Sequence, residues 1–208
     1  MTRTFPLFCL AGAAVLALAS LDVPAATQWT AATERRNAPP ITWEQLEHAR
    51  WIADGRADAP RKVYVFLDAN CKYCTKFWSD ARPWVTAGKV QLRHIMVGVI
   101  APSSAGRAAA LLADPDPARR LAAFEQAHAF GVVRMMAGGP HQTLEDPSLA
   151  PLDPVPEALA RTIADDEDLM HGLGLMGTPG IVFRAPDGRI VAKPGVATED
   201  LPLVLGPL

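Results

Sequence analysis

The hydrophobic residues of the chain follow two different spacings. Residues 63–69 (VYVFLDA) and 89–100 (KVQLRHIMVGVI) are short apolar runs rich in β-branched residues, a pattern typical of buried strands. In residues 41–54, and again after Cys71, apolar residues recur at helical intervals, so both segments are predicted to be helices. Pro83 should bend or locally disrupt the second helix, because proline has no N–H group to donate.

The second half of the chain predicts more helices and then a hairpin. Alanine-rich segments within 103–174 have helical spacing and are interrupted by a loop rich in proline and glycine at 138–156. Residues 181–192 are two β-rich runs around APDG, which predicts a hairpin, and Thr198 can cap a last helix that begins at Glu199. These elements predict an α/β domain that carries a helical insertion at about 103–174.

The first 26 residues have the composition of a secretory signal peptide. A single early arginine, an apolar run from Phe5 to Leu18 and small residues around Ala26 predict export and cleavage. The apolar run is shorter than the roughly 20 residues that a membrane span needs, and no later segment is comparable. We therefore expect an exported protein with no stable membrane insertion. The formal net charge of −2 does not indicate nucleic-acid binding.

Two of the three cysteines, Cys71 and Cys74, form the motif CKYC, and Cys9 lies within the predicted signal peptide. In an oxidising compartment CKYC is a structural disulfide, half of a metal site or a redox-active pair. The chain has no second CxxC and no HxxxH spacing for zinc, and Thr75 stands where haem attachment needs histidine. A CxxC ring closes almost no loop, so it adds little stability as a structural disulfide. The motif therefore favours a redox-active pair, with no metal and no external cofactor.

The position of CKYC between a strand and a helix gives its two thiols different properties. The free N–H groups and the positive dipole end at a helix N-terminus stabilise a thiolate at Cys71, and Lys72 adds a positive charge. Cys74 lies one turn further on, on the apolar face, where it is suited to resolve a mixed disulfide formed by Cys71.

The chain resembles the DsbC/DsbG family of thioredoxin-like thiol:disulfide interchange proteins, and DsbG most closely. The resemblance is carried by FLDANCKYCTKFW, by ARPWV, GKVQLR and VGVI after it, and by GTPGIVF at 177–183. It implies a thioredoxin-like catalytic domain at 61–208, preceded by a 27–60 segment with a linker-like helix. It also implies that Cys71 is the nucleophile, that Cys74 resolves, and that Pro179 is cis and faces the pair. Thr178 is then expected to tune the pair and contact substrate.

Two features depart from that family. The segment between the predicted cleavage site and the first helix is too short for the family's N-terminal dimerisation domain, so we expect a monomer. Lys72 and Tyr73 stand between the cysteines, where DsbG-like proteins usually have Pro-Tyr and DsbC-like proteins Gly-Tyr. Because that dipeptide sets the reduction potential of the cysteine pair, the sequence leaves open whether the protein reduces or oxidises its substrates.

Several other residues have a structural and a functional interpretation. Asp68, near the end of a buried strand, is either a proton-relay carboxylate for Cys74 or a turn residue before the helix. Phe77, Trp78 and Trp84 are expected in the core rather than at a substrate surface, and His94 is expected to be a core histidine.

The sequence thus predicts a periplasmic disulfide reductase or isomerase, or a sulfenic-acid reductase, that acts on exported proteins through Cys71 and Cys74. The resemblance implies a DsbD-type membrane reductase as the partner that restores the dithiol. Two alternatives stay open: a monomeric oxidant that resembles DsbA in role, and a thioredoxin-fold binding module for envelope proteins.

Overall fold

The structure is a computed structural model that describes residues 41–208, except residues 142 and 145. The predicted signal peptide at 1–26, with Cys9, lies outside the described residues.

A five-stranded mixed sheet is the centre of the described domain. Its strands are β1 (Trp51–Asp54), β2 (Arg61–Leu67), β3 (Val90–Met96), β4 (Gly180–Arg184) and β5 (Ile190–Pro194). Their order across the sheet is β1-β3-β2-β4-β5. The β2–β3 pair is parallel, and the other pairs are antiparallel. The central strand β2 is buried from Val63 to Leu67, as its unbroken apolar sequence predicts for a strand covered on both faces.

Helices cover both faces of this sheet. They are α1 (Trp43–His48), α2 (Lys72–Thr86), α3 (Ser104–Ala113), α4 (Pro117–Met136), α5 (Glu157–Gly172) and α6 (Leu201–Leu205), with short 3₁₀ turns at Pro147–Leu149 and Thr198–Asp200. The helices α3, α4 and α5 lie between β3 and β4, where the sequence predicts a helical insertion. None of the helices described is long and apolar enough to cross a membrane.

The helix predicted over residues 41–54 is wrong in its second half. A capping box between Thr42 and Gln45 starts α1, but α1 ends at His48 and Ala49 is already extended. Residues 51–54 form β1, which pairs with β3 and buries Ile52 between its half-buried neighbours Trp51 and Ala53. These residues form a strand because the edge of β3 supplies hydrogen-bond partners for them. The spacing of apolar residues within 41–54 does not reveal this pairing, because the partner residues lie about forty positions away in the sequence.

Two further local predictions need correction. The helix α2 runs from Lys72 to Thr86 with Pro83 inside it, so Pro83 does not interrupt the helix, and the alternative expectation of a bend stays a prediction. The last helix begins at Leu201, not at Glu199, and Thr198 does not cap it. The Thr198 hydroxyl instead donates to Asp80 over 2.8 Å, so it connects the C-terminal turn to α2.

The hydrophobic core has three parts. One lies between β2, α2 and α6, and a second lies between the opposite face of the sheet, α1 and α5. The third part joins the end of β2 to the inserted helices and contains both Cys71 and Cys74. The insertion therefore packs directly behind the cysteine motif.

Candidate active site

Cys71 is the N-cap residue of α2, directly after the turn that follows β2. Its backbone is extended, and the backbone N–H of Cys74 donates to the Cys71 Sγ over 3.1 Å. The backbone N–H of Thr75 donates to the Cys71 carbonyl, which closes the first helical turn. The sulfur thus accepts one of the N–H groups that a helix N-terminus leaves unpaired, the position that the sequence predicts.

The two thiols have pKa values shifted in opposite directions. Both cysteines are free in this structure, with Cys71 3% and Cys74 1% exposed. Hydrogen bonding from Cys74, with further contributions from Thr178 and the Cys74 backbone N–H, lowers the pKa of Cys71 despite its burial. Burial, and then the neighbouring Cys71 sulfur, raises the pKa of Cys74 well above its ordinary value. Cys71 is therefore the thiol that ionises first.

A loop before β4 faces the cysteine pair. The Thr178–Pro179 peptide bond is cis, and the Cys71 thiol donates to the Thr178 carbonyl oxygen over 3.3 Å. The Pro179 carbonyl accepts a hydrogen bond from the Gly195 N–H, which ties the loop to the end of β5. The Thr178 hydroxyl is buried and has no hydrogen-bond partner of normal geometry among the described residues. It lies close enough to the pair to lower the pKa of both thiols. Thr178 and Pro179 therefore lie where the sequence predicts them.

Asp68 is fully buried, and its carboxylate accepts four hydrogen bonds. Oδ1 accepts from the Asn70 N–H and the Ser104 hydroxyl, both over 2.8 Å. Oδ2 accepts from the N–H groups of Val99 and Ile100, over 2.8 and 2.9 Å. These bonds hold the loop before Cys71 against the start of the insertion. The geometry thus favours the turn-fixing interpretation, and the proton relay through Asp68 stays a prediction.

Asn70 and Arg107 extend this network, and sequence reasoning missed both. The Asn70 amide donates to the hydroxyls of Ser103 and Ser104, while its oxygen accepts from the buried guanidinium of Arg107 over 3.0 Å. Arg107 also donates to the Leu144 carbonyl over 2.7 Å. Arg107 is the single charged residue in the otherwise apolar and small-residue segment SAGRAAALLA. This isolated charge is the feature of the sequence from which a buried, paired arginine could have been predicted.

The residues between the cysteines differ in their surroundings. The Lys72 Nζ lies 2.8 Å from the Nε2 of His141, in the loop after α4, a contact that no spacing in the sequence indicates. Tyr73 is 70% exposed beside the pair.

Phe77 and Trp78 are buried, Trp84 is half-buried, and His94 is fully buried with its ring 3.4 Å from Asp54, as predicted for core residues.

A groove of about 480 Å³ opens beside the cysteines, between α2, the cis-proline loop and the segment after β5. Its apolar lining includes Phe77, Met136, Pro179 and Val196. One wall is polar, because Lys76, Asp80 and Thr198 hydrogen-bond to one another there. Among the described residues, no group of three or more His, Cys, Asp or Glu side chains is placed to hold a metal ion.

Comparison with curated proteins shows similarity to proteins named DsbG. The chain is 46% identical over 166 residues to the thiol:disulfide interchange protein DsbG of Pseudomonas aeruginosa. The alignment covers 79% of this chain and 59% of that protein. The chain is 36% identical to DsbG of Escherichia coli K12, with 79% and 60% covered. The chain therefore spans about three fifths of the length of these relatives. No family model matches the chain.

Solved structures show the same fold at lower identity. Proteus mirabilis ScsC in a compact conformation has a TM-score of 0.61 at 21% identity, with 86% of this chain and 85% of that chain covered. A periplasmic thioredoxin-like protein from Salmonella enterica serovar Typhimurium has a TM-score of 0.52 at 18% identity, with 74% and 87% covered. The chain thus has a thioredoxin-like fold, and its sequence resembles the DsbG thiol:disulfide interchange proteins over about four fifths of its length.

Proposed function

We propose that the protein is a periplasmic thiol–disulfide oxidoreductase that reduces or isomerises disulfides, or reduces sulfenic acids, in exported proteins. The observation that carries the proposal is the pair of opposite pKa shifts at Cys71 and Cys74, on a helix start that faces Thr178. The similarity to DsbG proteins supports the same chemistry.

The exchange begins at Cys71. Its thiolate attacks one sulfur of a substrate disulfide, an S–S bond to Cys71 forms, and the second substrate sulfur leaves as a thiolate that takes up a proton. With a sulfenic acid, the leaving group is hydroxide, which becomes water. Cys74 then loses its proton and attacks the Cys71 Sγ, so the Cys71–Cys74 disulfide forms and the first substrate sulfur is released. Two electrons pass from the pair to the substrate.

The groove beside the pair is the proposed place for the substrate segment that flanks its cysteine. Its apolar lining suits an extended segment with apolar side chains, while the ion pair between Lys76 and Asp80 offers polar contacts along one wall. The exposed Tyr73 ring at the edge of the groove supplies a further apolar contact. We place substrate specificity in this groove and its rim.

The proposal extends to the location and the partners of the protein. The DsbG names and the periplasmic title of one structural neighbour support a periplasmic site of action, which cleavage of the signal peptide predicted at 1–26 would allow. A DsbD-type membrane reductase is the proposed source of electrons for the oxidised pair. We expect a monomer, and light scattering at micromolar concentration measures this directly.

A disulfide-donating role is the second candidate. The hydrogen bonds that lower the pKa of Cys71 stabilise the reduced form of the pair, and a stabilised reduced form makes a stronger oxidant. The redox state of the pair in growing cells, trapped with acid and alkylated, distinguishes the two directions. A reductase or isomerase is found mainly as the dithiol, and an oxidant mainly as the disulfide.

A further inference from the structure

The end of the sheet opposite the cysteines carries a cluster of cations that the proposed disulfide exchange does not use. Arg61 and Lys62 are the first two residues of β2, and Arg184 is the last residue of the neighbouring strand β4. Cys71 follows the far end of β2, so about six residues of extended chain, roughly 20 Å, separate the cluster from the cysteine pair. The cluster is therefore distinct from the proposed substrate groove.

The cations of this cluster have no carboxylate partner in the described part of the chain, where every ion pair involves other residues. Arg61 donates to three backbone carbonyls at the ends of β4 and α6. The Lys62 Nζ donates to two carbonyls in the turn before β2, over 2.6 and 2.7 Å. Carbonyl groups carry no net charge, so they orient these side chains and leave their positive charge without a counter-charge.

Arg184 is the most accessible member of the cluster. Its side chain is exposed, and its guanidinium lies over the ring of Trp43, 4.7 Å from the ring centroid. A contact of this kind holds a guanidinium in place without using its N–H groups, which remain donors for an oxyanion.

Arg93 of β3 adds a further positive charge on the same side of the sheet. Its guanidinium lies over the rings of Trp51 and Tyr64, 4.4 and 5.3 Å from their centroids. Tyr64 pairs with Arg93, and alternate residues of a strand share a face, so Lys62, Arg93 and Arg184 all project from one face. Burial and then the charge of Arg93 lower the pKa of Lys62, as expected for cations that are held close together.

An open pocket of about 330 Å³ lies at this cluster. Its lining consists of three cations, one aromatic ring, one proline and one carboxylate, which are Arg61, Lys62, Arg184, Trp43, Pro60 and Glu47. The Glu47 Oε1 already accepts a hydrogen bond from the indole N–H of Trp43 over 3.0 Å. One carboxylate against three cations leaves the pocket positively charged, so its charge suits an anionic ligand.

We propose that this pocket binds a phosphate-type oxyanion, held by the guanidinium of Arg184 and the ammonium group of Lys62. A guanidinium can donate to two oxygens of one phosphate, and the ammonium group adds a point charge beside it. Two sources share this chemistry: free phosphate in solution and the phosphate of an anionic lipid headgroup. The inference does not rest on the proposed function, because the pocket and the groove beside the cysteines have no residue in common.

The first experiment titrates the full-length protein with inorganic phosphate and follows binding by calorimetry. Low ionic strength is used, because salt screens exposed charges. We expect saturable binding that Arg184→Gln weakens by at least about tenfold, since it removes a charged hydrogen-bond donor. Arg184→Lys keeps the charge but loses the two-pronged geometry, so it should bind with intermediate affinity. Lys62→Gln, a second and independent variant, should also weaken binding.

Arg119→Gln is the matched control. Arg119 on α4 is exposed and forms an ion pair with Asp116, so the substitution changes the net charge as Arg184→Gln does but lies outside the pocket. Its affinity for phosphate should equal that of the wild-type protein. Circular dichroism of each variant verifies that it is folded.

The second experiment measures cosedimentation with vesicles of equal parts phosphatidylglycerol and phosphatidylcholine, with pure phosphatidylcholine as the neutral comparison. Binding in either experiment that Arg184→Gln reduces and Arg119→Gln does not supports the proposal, and the experiment in which it occurs identifies the source of the phosphate group. The absence of binding in both experiments would overturn the proposal. Binding that Arg184→Gln and Lys62→Gln leave unchanged, or that Arg119→Gln reduces equally, would also overturn it.

Discussion

The sulfur of Cys71 lies 3.3 Å from the carbonyl oxygen of Thr178, although 107 positions separate the two residues in the sequence. This contact joins the start of α2 to the loop before β4, on either side of the helical insertion. A thiol that is hydrogen-bonded on one side to a carbonyl and on the other to a helix N–H is held in one orientation. The Cys71 thiol, which we propose as the nucleophile, is therefore held in place without a bound substrate.

The first prediction concerns the reactivity of the two thiols. Because the pKa of Cys71 is lowered and that of Cys74 is raised, iodoacetamide should modify Cys71 first in the reduced protein near pH 7. Peptide mass spectrometry after short reaction times locates the label. The reaction midpoint should lie below the ordinary thiol value of about 8.5. Faster labelling of Cys74 would reverse the assigned roles.

The second prediction concerns Thr178. Its hydroxyl lowers the pKa of Cys71 and has no hydrogen-bond partner of normal geometry, so Thr178→Val should raise the Cys71 pKa and cost little stability. Without that interaction the dithiol is less stabilised, so the reduction potential should become more negative. Equilibration in glutathione buffers gives the potential, and urea unfolding should show a change within about 0.5 kcal/mol. An unchanged potential would show that the hydroxyl does not act on the pair.

The third prediction concerns Asp68. Asp68→Asn replaces one acceptor oxygen with an N–H₂ group that faces hydrogen-bond donors, so it should lower the free energy of unfolding by roughly 2–4 kcal/mol. Urea unfolding measures the loss. Asp187→Asn, at an exposed turn, is the control and should change stability by less than about 0.5 kcal/mol. Equal effects of the two substitutions would contradict the structural role of Asp68.

The fourth prediction is a pH dependence of stability. The pKa of Glu125 rises on folding from 4.5 to about 7, so the folded state binds more protons than the unfolded state in that range. Stability therefore falls as the pH rises through this window, by roughly 3 kcal/mol in total. Glu125→Gln should then gain stability relative to wild type from pH 5 to pH 8, as measured by urea unfolding.

Asp166 provides an independent test of that pH dependence. Burial, and then the neighbouring Asp165, raises its pKa from 3.8 to about 7, so Asp166→Asn should show the same sign of change with pH. A difference from wild type that stays constant with pH in both variants would show that neither carboxylate titrates as described.

The sequence predicted those helices and strands that can be recognised from the pattern of apolar residues within the element itself. The run from Val63 to Leu67 is apolar without interruption because β2 is covered on both faces, and the periodicity after Cys71 reflects the buried face of α2. The position of Cys71 at a helix start followed from those two patterns. The resemblance to a known family placed Thr178 and Pro179 opposite the pair.

What the sequence did not predict depends on contacts between distant segments. Residues 51–54 have helical spacing but form β1, because the edge of β3 is available to pair with them. Thr198 has the chemistry of a helix cap, yet Asp80 of α2 is its partner. Glu125 lies in an ordinary amphipathic helix, and only the packing of α4 against α2 shows that it is buried beside Thr75.

The most direct test of the central claim is to trap the intermediate of the exchange. Reduced Cys74→Ser is mixed with a peptide that carries one intramolecular disulfide, and intact-mass spectrometry follows the protein. The account predicts an adduct of the peptide's mass, attached at Cys71 and removed by dithiothreitol, while the wild-type protein releases the reduced peptide and forms the Cys71–Cys74 disulfide. The absence of an adduct on Cys74→Ser, or an equally rapid adduct on Cys71→Ser through Cys74, would contradict it.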